Sequence, residues 1–225
     1  MPIQPIRIGD EGQAATRELV RLMESLVAAR PSPNADAALQ SLRTLEGLDR
    51  QYGGHAPIAL EGVEDVVAAT LADLAHLETQ PHIDEVIVGV ALWAIRHEVP
   101  ITVVEPVANA LALRSNAARS RSELSAVFGL MQGVITHVAP RLAADLERSN
   151  PERPWRILHA NLAITAIRTE DGELMDHAFD ALDRALPGEA PNFYGEALAL
   201  SLAPGIAPVV REKLEARHGR GLPPG

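Results

Sequence analysis

The side chains best suited to binding chemistry stand between residues 109 and 168. Arg114, Asn116, Arg119, Arg121 and Ser122 follow one another in a short stretch where one helix is expected to end and the next to begin. The free amides of a helix N-terminus favour an anion, and guanidinium groups beside them would take a carboxylate or phosphate, such as a peptide C-terminus or an acidic partner helix. The alternative is a solvated loop whose arginines pair with acidic flanks at little energetic gain. Asn109 and Asn161 each sit in an otherwise apolar helical stretch. A buried amide is costly unless bonded, so each either bonds a neighbouring helix and sets its register, or faces a groove where a ligand backbone completes the pairing. Arg168, seven residues after Asn161, shares its helical face. Asn109, Arg114, Asn116, Arg119, Arg121, Asn161 and Arg168 are therefore the candidate partner-binding residues.

Other chemistry is poorly served. Cysteine is absent, which removes disulfides, thiolate metal sites and thiol nucleophiles. No Gly-x-Ser-x-Gly elbow or Gly-x-Gly-x-x-Gly turn occurs, and the single lysine, Lys213, follows Glu212 rather than a glycine-rich loop. His97-Glu98 lacks the second histidine of a zinc protease, since Ile101 holds that place. Asp73 with His76, Glu173 with His177 and Glu215 with His218 are isolated pairs without a third and fourth ligand. No catalytic residue, metal or cofactor is expected.

Charge and composition narrow the partners. The 225 residues carry a formal charge of −10, unevenly spread. Residues 1–105 hold 16 acids against 7 bases, residues 106–168 hold 4 against 8, and residues 169–225 hold 10 against 5. A basic island thus lies between acidic flanks. Overall acidity argues against nucleic-acid binding, which needs a net cationic footprint. No signal-length or membrane-spanning apolar run is present, so a cytoplasmic, membrane-free protein is expected.

The elements that must position these residues are helices. Hydrophobic residues make up 47% of the chain and aromatics only 3%, with few β-branched runs bounded by turns. Ala15, Leu19, Leu22, Leu26 and Ala29 recur at helical spacing until Pro31-Ser32-Pro33-Asn34 ends the stretch. Ala38 to Tyr52 predicts a second helix stopped by Gly53-Gly54, and Val63 to Leu77 a third. The unbroken apolar run Val86–Ile95 predicts a buried fourth helix at the centre of the fold. Thr102 with Glu105 and Ser120 with Glu123 fit capping boxes opening two more helices. The second of these reaches Pro140, which ends or kinks it, and Leu142 and Leu146 continue the pattern to Asn150. Gly129-x-x-x-Gly133 inside that helix lowers its propensity, which close packing of another helix, from the same chain or a twin subunit, would offset. Two helix pairs follow, split by Pro187-Gly188. The expected architecture is all-α: about ten short antiparallel helices packed as hairpins, solenoid-like or as an irregular bundle. An extended arm over residues 1–12 would precede a helical domain over 13–218, with halves 13–100 and 101–218, and a disordered tail over 219–225 would follow.

Residues 155–218 resemble two tetratricopeptide-type helix pairs, through Trp155, Leu158, Leu162, Phe179 and Pro187. The resemblance covers under a third of the chain. It implies a concave groove that binds a peptide or partner protein. The expected function is a non-enzymatic interaction or scaffold module using a groove or basic face, with a protein or peptide partner, acidic where the arginines meet it, and a homodimer through the Gly129/Gly133 helix. The alternative is a small-molecule site among the fourth to seventh helices, with His97, His137 or His159 as its titratable group.

Overall fold

The computed structural model describes residues 12–219. Among them are ten helices and no strand: α1 (Gly12–Ala29), α2 (Pro33–Tyr52), α3 (Val63–Ala75), α4 (Ile83–Arg96), α5 (Glu105–Ala117), α6 (Arg121–Leu142), α7 (Pro154–Thr169), α8 (Gly172–Ala185), α9 (Ala190–Ser201) and α10 (Pro208–His218). No helix among the described residues is long and apolar enough to cross a membrane. The expected arm and tail lie outside the described residues, apart from Gly12, which already belongs to α1, and Gly219. The described residues form two compact units, one of residues 12–114 with 133–141, the other of 115–132 with 142–219.

In the first unit α1 packs on α2 and α4, while α3 packs on both α2 and α4. The stretch read as a breaker does more than stop α1. Ser32 accepts a hydrogen bond from the Ala35 amide at 3.2 Å and Pro33 occupies the first turn, so the same residues open α2. Every residue of α4 from Val86 to Ala94 is buried. At Gly89 an added Cβ would stand 2.4 Å from Leu19 Cδ2, so this glycine is what lets the Leu19 side chain pack into α4. Asp49 and His97 are buried together: His97 Nε2 lies 2.5 Å from Asp49 Oδ1 and Nδ1 lies 2.7 Å from the Ala56 carbonyl. Arg96 Nη2 donates to both Asp49 oxygens and to Thr16 Oγ1, each at 3.1 Å. Burial pushes the Asp49 carboxyl up, but the hydrogen bonds from His97, Thr16 and Arg96 outweigh it and hold the group below its ordinary range.

The helix capping expected before α5 does not form as read. α5 begins at Glu105 itself, three residues beyond Thr102. The second box does form: Ser120 Oγ accepts from the Glu123 amide, and a Glu123 carboxylate oxygen accepts from the Ser120 amide, both at 3.2 Å. α6 tolerates Pro140 near its end but stops two residues later, at Leu142. The continuation to Asn150 is replaced by turns, and Leu146 is exposed. The proline ring removes one backbone donor and crowds the preceding turn, and Leu142 and Leu146 alone do not restore the ladder. Nothing stands within 4 Å of a Cβ placed on Gly129 or Gly133, so close intrachain helix packing is not what these glycines serve.

In the second unit α7 pairs with α8, α9 with α10, and α8 also packs on α10. Asp171 accepts from the amides of Glu173 (2.9 Å) and Leu174 (3.2 Å) and so opens α8 across a tight link. Met175, Ala178, Phe179 and Leu182 bury one stripe of α8. Phe179 meets Tyr194 edge to face at 5.2 Å. The Tyr194 hydroxyl donates to Asp183 at 2.8 Å, and burial together with that carboxylate pushes the phenol up. Asp176, Asp180 and Asp183 recur along the neighbouring stripe of α8 and are met by Arg217 of α10, with Lys213 also on Asp176. An aliphatic and aromatic seam edged by ion pairs thus ties α10 to α8.

Candidate functional site

α7 is apolar on two sides, and only one of them is covered. Trp155, Leu158, Leu162 and Ala166 are buried, whereas Ile157, Ala160, Asn161, Ile164 and Ile167 retain exposure. α9 behaves likewise: Ala190, Tyr194 and Ser201 are buried, while Phe193, Ala197 and Leu200 face outward. These uncovered faces, closed at one end by Ile206 and Val210, line a groove of about 450 Å³. A smaller recess of about 180 Å³ shares Arg156, Ala160, Phe193 and Glu196 with it, and is completed by Leu182, Leu186, Glu189 and Asn192. Along α7 the lining runs from Arg156 to Arg168, which at helical rise is about 18 Å.

Four of the five polar residues on this groove, Arg156, Asn161, Arg168 and Ser201, are bonded to the protein, whereas Glu196 is exposed. Asn161 Nδ2 donates to the Ile157 backbone carbonyl of its own helix at 2.9 Å, and the Asn161 backbone carbonyl accepts from Thr165 Oγ1. Arg168 donates to the carbonyls of Ser115 and Ala118, capping the end of α5. Arg156 Nε donates to Glu189 at 2.7 Å, and Arg153 bridges Glu189 and Asp145. Burial raises the Glu189 carboxyl, but its bonds from Arg153 and Arg156 prevail and lower it below the usual range. Beside Glu196, what remains open is aliphatic: Ile164 is 41% exposed, Ile206 41% and Leu200 75%. Leu202, at the turn beyond α9, is 65% exposed.

Two of the seven candidate binding residues, Asn161 and Arg168, meet on this groove. The others are placed elsewhere. Asn109 is half-buried in α5, and Arg114 is only 3% exposed, with Nε and Nη1 lacking hydrogen-bond partners. Arg114 therefore does not extend an exposed basic face, its side chain being enclosed by protein. Asn116 and Arg119 are exposed, and Arg121 pairs with Glu170, an acid of the flanking segment. The histidines are also committed. His97 is buried as described, His137 Nε2 lies 2.9 Å from the Val99 carbonyl, and His159 Nδ1 lies 2.9 Å from the Trp155 carbonyl. Burial lowers the His159 imidazole below its ordinary value of 6.5. Among the described residues no cluster of three metal-ligating side chains occurs.

Sequence reasoning missed Ile164, Ile167, Phe193, Ala197 and Ile206. The available signal was that α7 is apolar on the side opposite its Trp155–Leu158–Leu162 stripe, in a helix whose partner can cover only one side. Comparison with known families, with characterised proteins and with solved structures gives no significant match for this chain.

Proposed function

We propose that the chain is a protein-interaction module whose second unit docks an apolar protein segment in the groove between α7 and α9. The carrying observation is that an open aliphatic groove is flanked by polar groups of which all but the exposed Glu196 are already bonded to the protein. A small-molecule site fixes its ligand through convergent unspent polar groups, whereas docking of a helix or strand corner relies on apolar anchors. The reading takes up the tetratricopeptide resemblance, with two successive hairpins whose first helices both contribute to one groove. A cytoplasmic location belongs to the same reading. A basic face built on Asn109, Arg114, Asn116, Arg119 and Arg121 has weaker support, since Arg114 is buried and Arg121 is engaged.

Photo-crosslinking tests the reading. A benzophenone amino acid replacing Ile164 in the full chain, in its own cells, should give adducts with aliphatic-rich protein segments, while one replacing exposed Leu60 in the first unit should not. Exclusive labelling of small metabolites at Ile164 would count for the alternative, a small-molecule regulator or enzyme. The groove volume of about 450 Å³ also suits that alternative.

A further inference from the structure

The groove between α7 and α9 has little to offer a polypeptide backbone. An extended segment lying along its length of about 18 Å would present a donor and an acceptor at each of about five residues. Of the polar side chains there, all but Glu196 are bonded to the protein, and the Glu196 carboxylate can only accept. The rest of the lining, Ile157, Ile164, Ile167, Phe193 and Ala197 among it, bonds nothing. Backbone groups laid on such a surface lose water without replacement, whereas a helix satisfies its own. The two ends of the groove also differ in charge. Arg156 and Ala160 of α7 share the smaller recess with Phe193 and Glu196 of α9, so the two helices run in the same direction along the groove. At this first end Arg153 and Arg156 are matched by Asp145 and Glu189, which leaves the exposed Glu196 over. At the other end Arg168 donates to the carbonyls of Ser115 and Ala118, and Arg211 to that of Ser201. Carbonyls occupy the donors of a guanidinium without cancelling its charge, and neither arginine meets a carboxylate among the described residues.

We infer that the segment docked in the groove is an amphipathic helix of about three turns on a partner protein, laid parallel to α7 with its N-terminus at Glu196 and its C-terminus at Arg168 and Arg211. The inference rests on the groove being a protein-docking site and adds the form and direction of what docks. Parallel neighbours leave a furrow into which a third helix sets its side chains, and an apolar stripe at i, i+3, i+4 and i+7 covers the aliphatic lining. The positive pole of the docked helix, reinforced by a lysine or arginine in its first turn, meets Glu196. Its negative pole, reinforced by an acid in the last turn, meets the two arginines, whose charge is still uncompensated. The reversed helix would bring like charges together at both ends. Apolar contact thus supplies the hold, and the two ends supply the direction.

The test titrates the full chain into two fluorescent stapled peptides of about twelve residues, the length of three helical turns. Both carry the same leucine stripe. One has lysine in its first turn and glutamate in its last, and the other has the two exchanged; the staple keeps both helical, since the first pattern opposes its own macrodipole. At low salt the first should bind about fivefold or more tightly than the second. Glu196→Lys, at an exposed position, should cancel or reverse that preference, and rising salt should shrink it while both peptides stay bound. Equal affinities at low salt, or a preference untouched by Glu196→Lys, would overturn the direction assigned to the occupant. Tighter binding of a proline-interrupted peptide of the same composition would overturn its helical form. If neither stapled peptide binds while a probe at Ile164 still captures protein, the helical occupant falls and the docking groove stands. If that probe captures no protein either, both fall.

Discussion

At the scale of single residues, the tightest constraint is Gly89. Its missing Cβ is replaced by Leu19, whose Cδ2 would be 2.4 Å away from any side chain there. Gly89→Ala should cost no more than about 2 kcal/mol, since about 1 kcal/mol of helix propensity gained offsets the overpacking against the Leu19 side-chain end, read from chemical denaturation, and pairing it with Leu19→Ala should restore part of the loss that the two single changes would sum to. His159 governs a different variable. Its folded-state pKa lies below the ordinary 6.5, so at mildly acidic pH the unfolded chain binds a proton that the folded chain refuses. Its contribution is whole above about 6.5 and declines as pH falls from there towards the folded value, at up to about 1.4 kcal/mol per pH unit. Asp49 and Glu189 are also lowered, but from 3.8 and 4.5, so their losses begin at lower pH. Denaturation of wild type at pH 7.5 and about pH 5.5 should show the decline, and His159→Leu should flatten it. An unchanged slope in that variant would assign the effect elsewhere. Arg114 shows why residue type alone misleads: an arginine in a basic run reads as solvent-facing, because burial of a guanidinium depends on contacts distant in sequence.

At the scale of elements, helices were legible wherever one apolar stripe recurred with a stop signal beside it. The capping box of Ser120 and Glu123 was readable because its bonds are local, and Ser120→Ala should cost about 1 kcal/mol in thermal or chemical unfolding. The end of α6 was harder to read. Leu142 and Leu146 keep helical spacing after Pro140, but spacing cannot report a missing donor two residues upstream. α10 is held to α8 by Arg217, which reaches Asp176, Asp180 and Asp183 and lies 5.9 Å from the Phe179 ring centroid. Arg217→Met keeps much of the apolar contact and removes the charge from among three carboxylates. Hydrogen exchange in α10 should accelerate well before global unfolding does, and equal acceleration throughout the second unit would argue that α10 is not separately anchored.

At the scale of the molecule, the candidate site was half legible. Asn161 and Arg168 stood out as polar residues in an apolar helix, and they do border the groove. The aliphatic lining did not stand out, because periodicity reports where apolar residues lie along a helix and not which of two apolar sides a neighbour will cover. The groove and the arginine-bearing face separate cleanly by mutation. Ile164→Glu should abolish capture by a groove probe placed at Ala197, while Arg119→Glu with Arg121→Glu should leave that capture within about twofold of wild type, since exposed ion pairs such as Arg121–Glu170 contribute about 0–1 kcal/mol. The reverse pattern would move the interaction to the arginines.

Because no charge interrupts the chain from Ala197 to Val210, contacts made at the α9–α10 corner answer to the solvent more than to ions. Apolar association weakens on cooling and strengthens in sulfate, whereas ordinary salt screening leaves it almost untouched. A partner held at this corner would loosen in the cold and tighten with warmth, and its capture would follow the thermometer rather than the ionic strength.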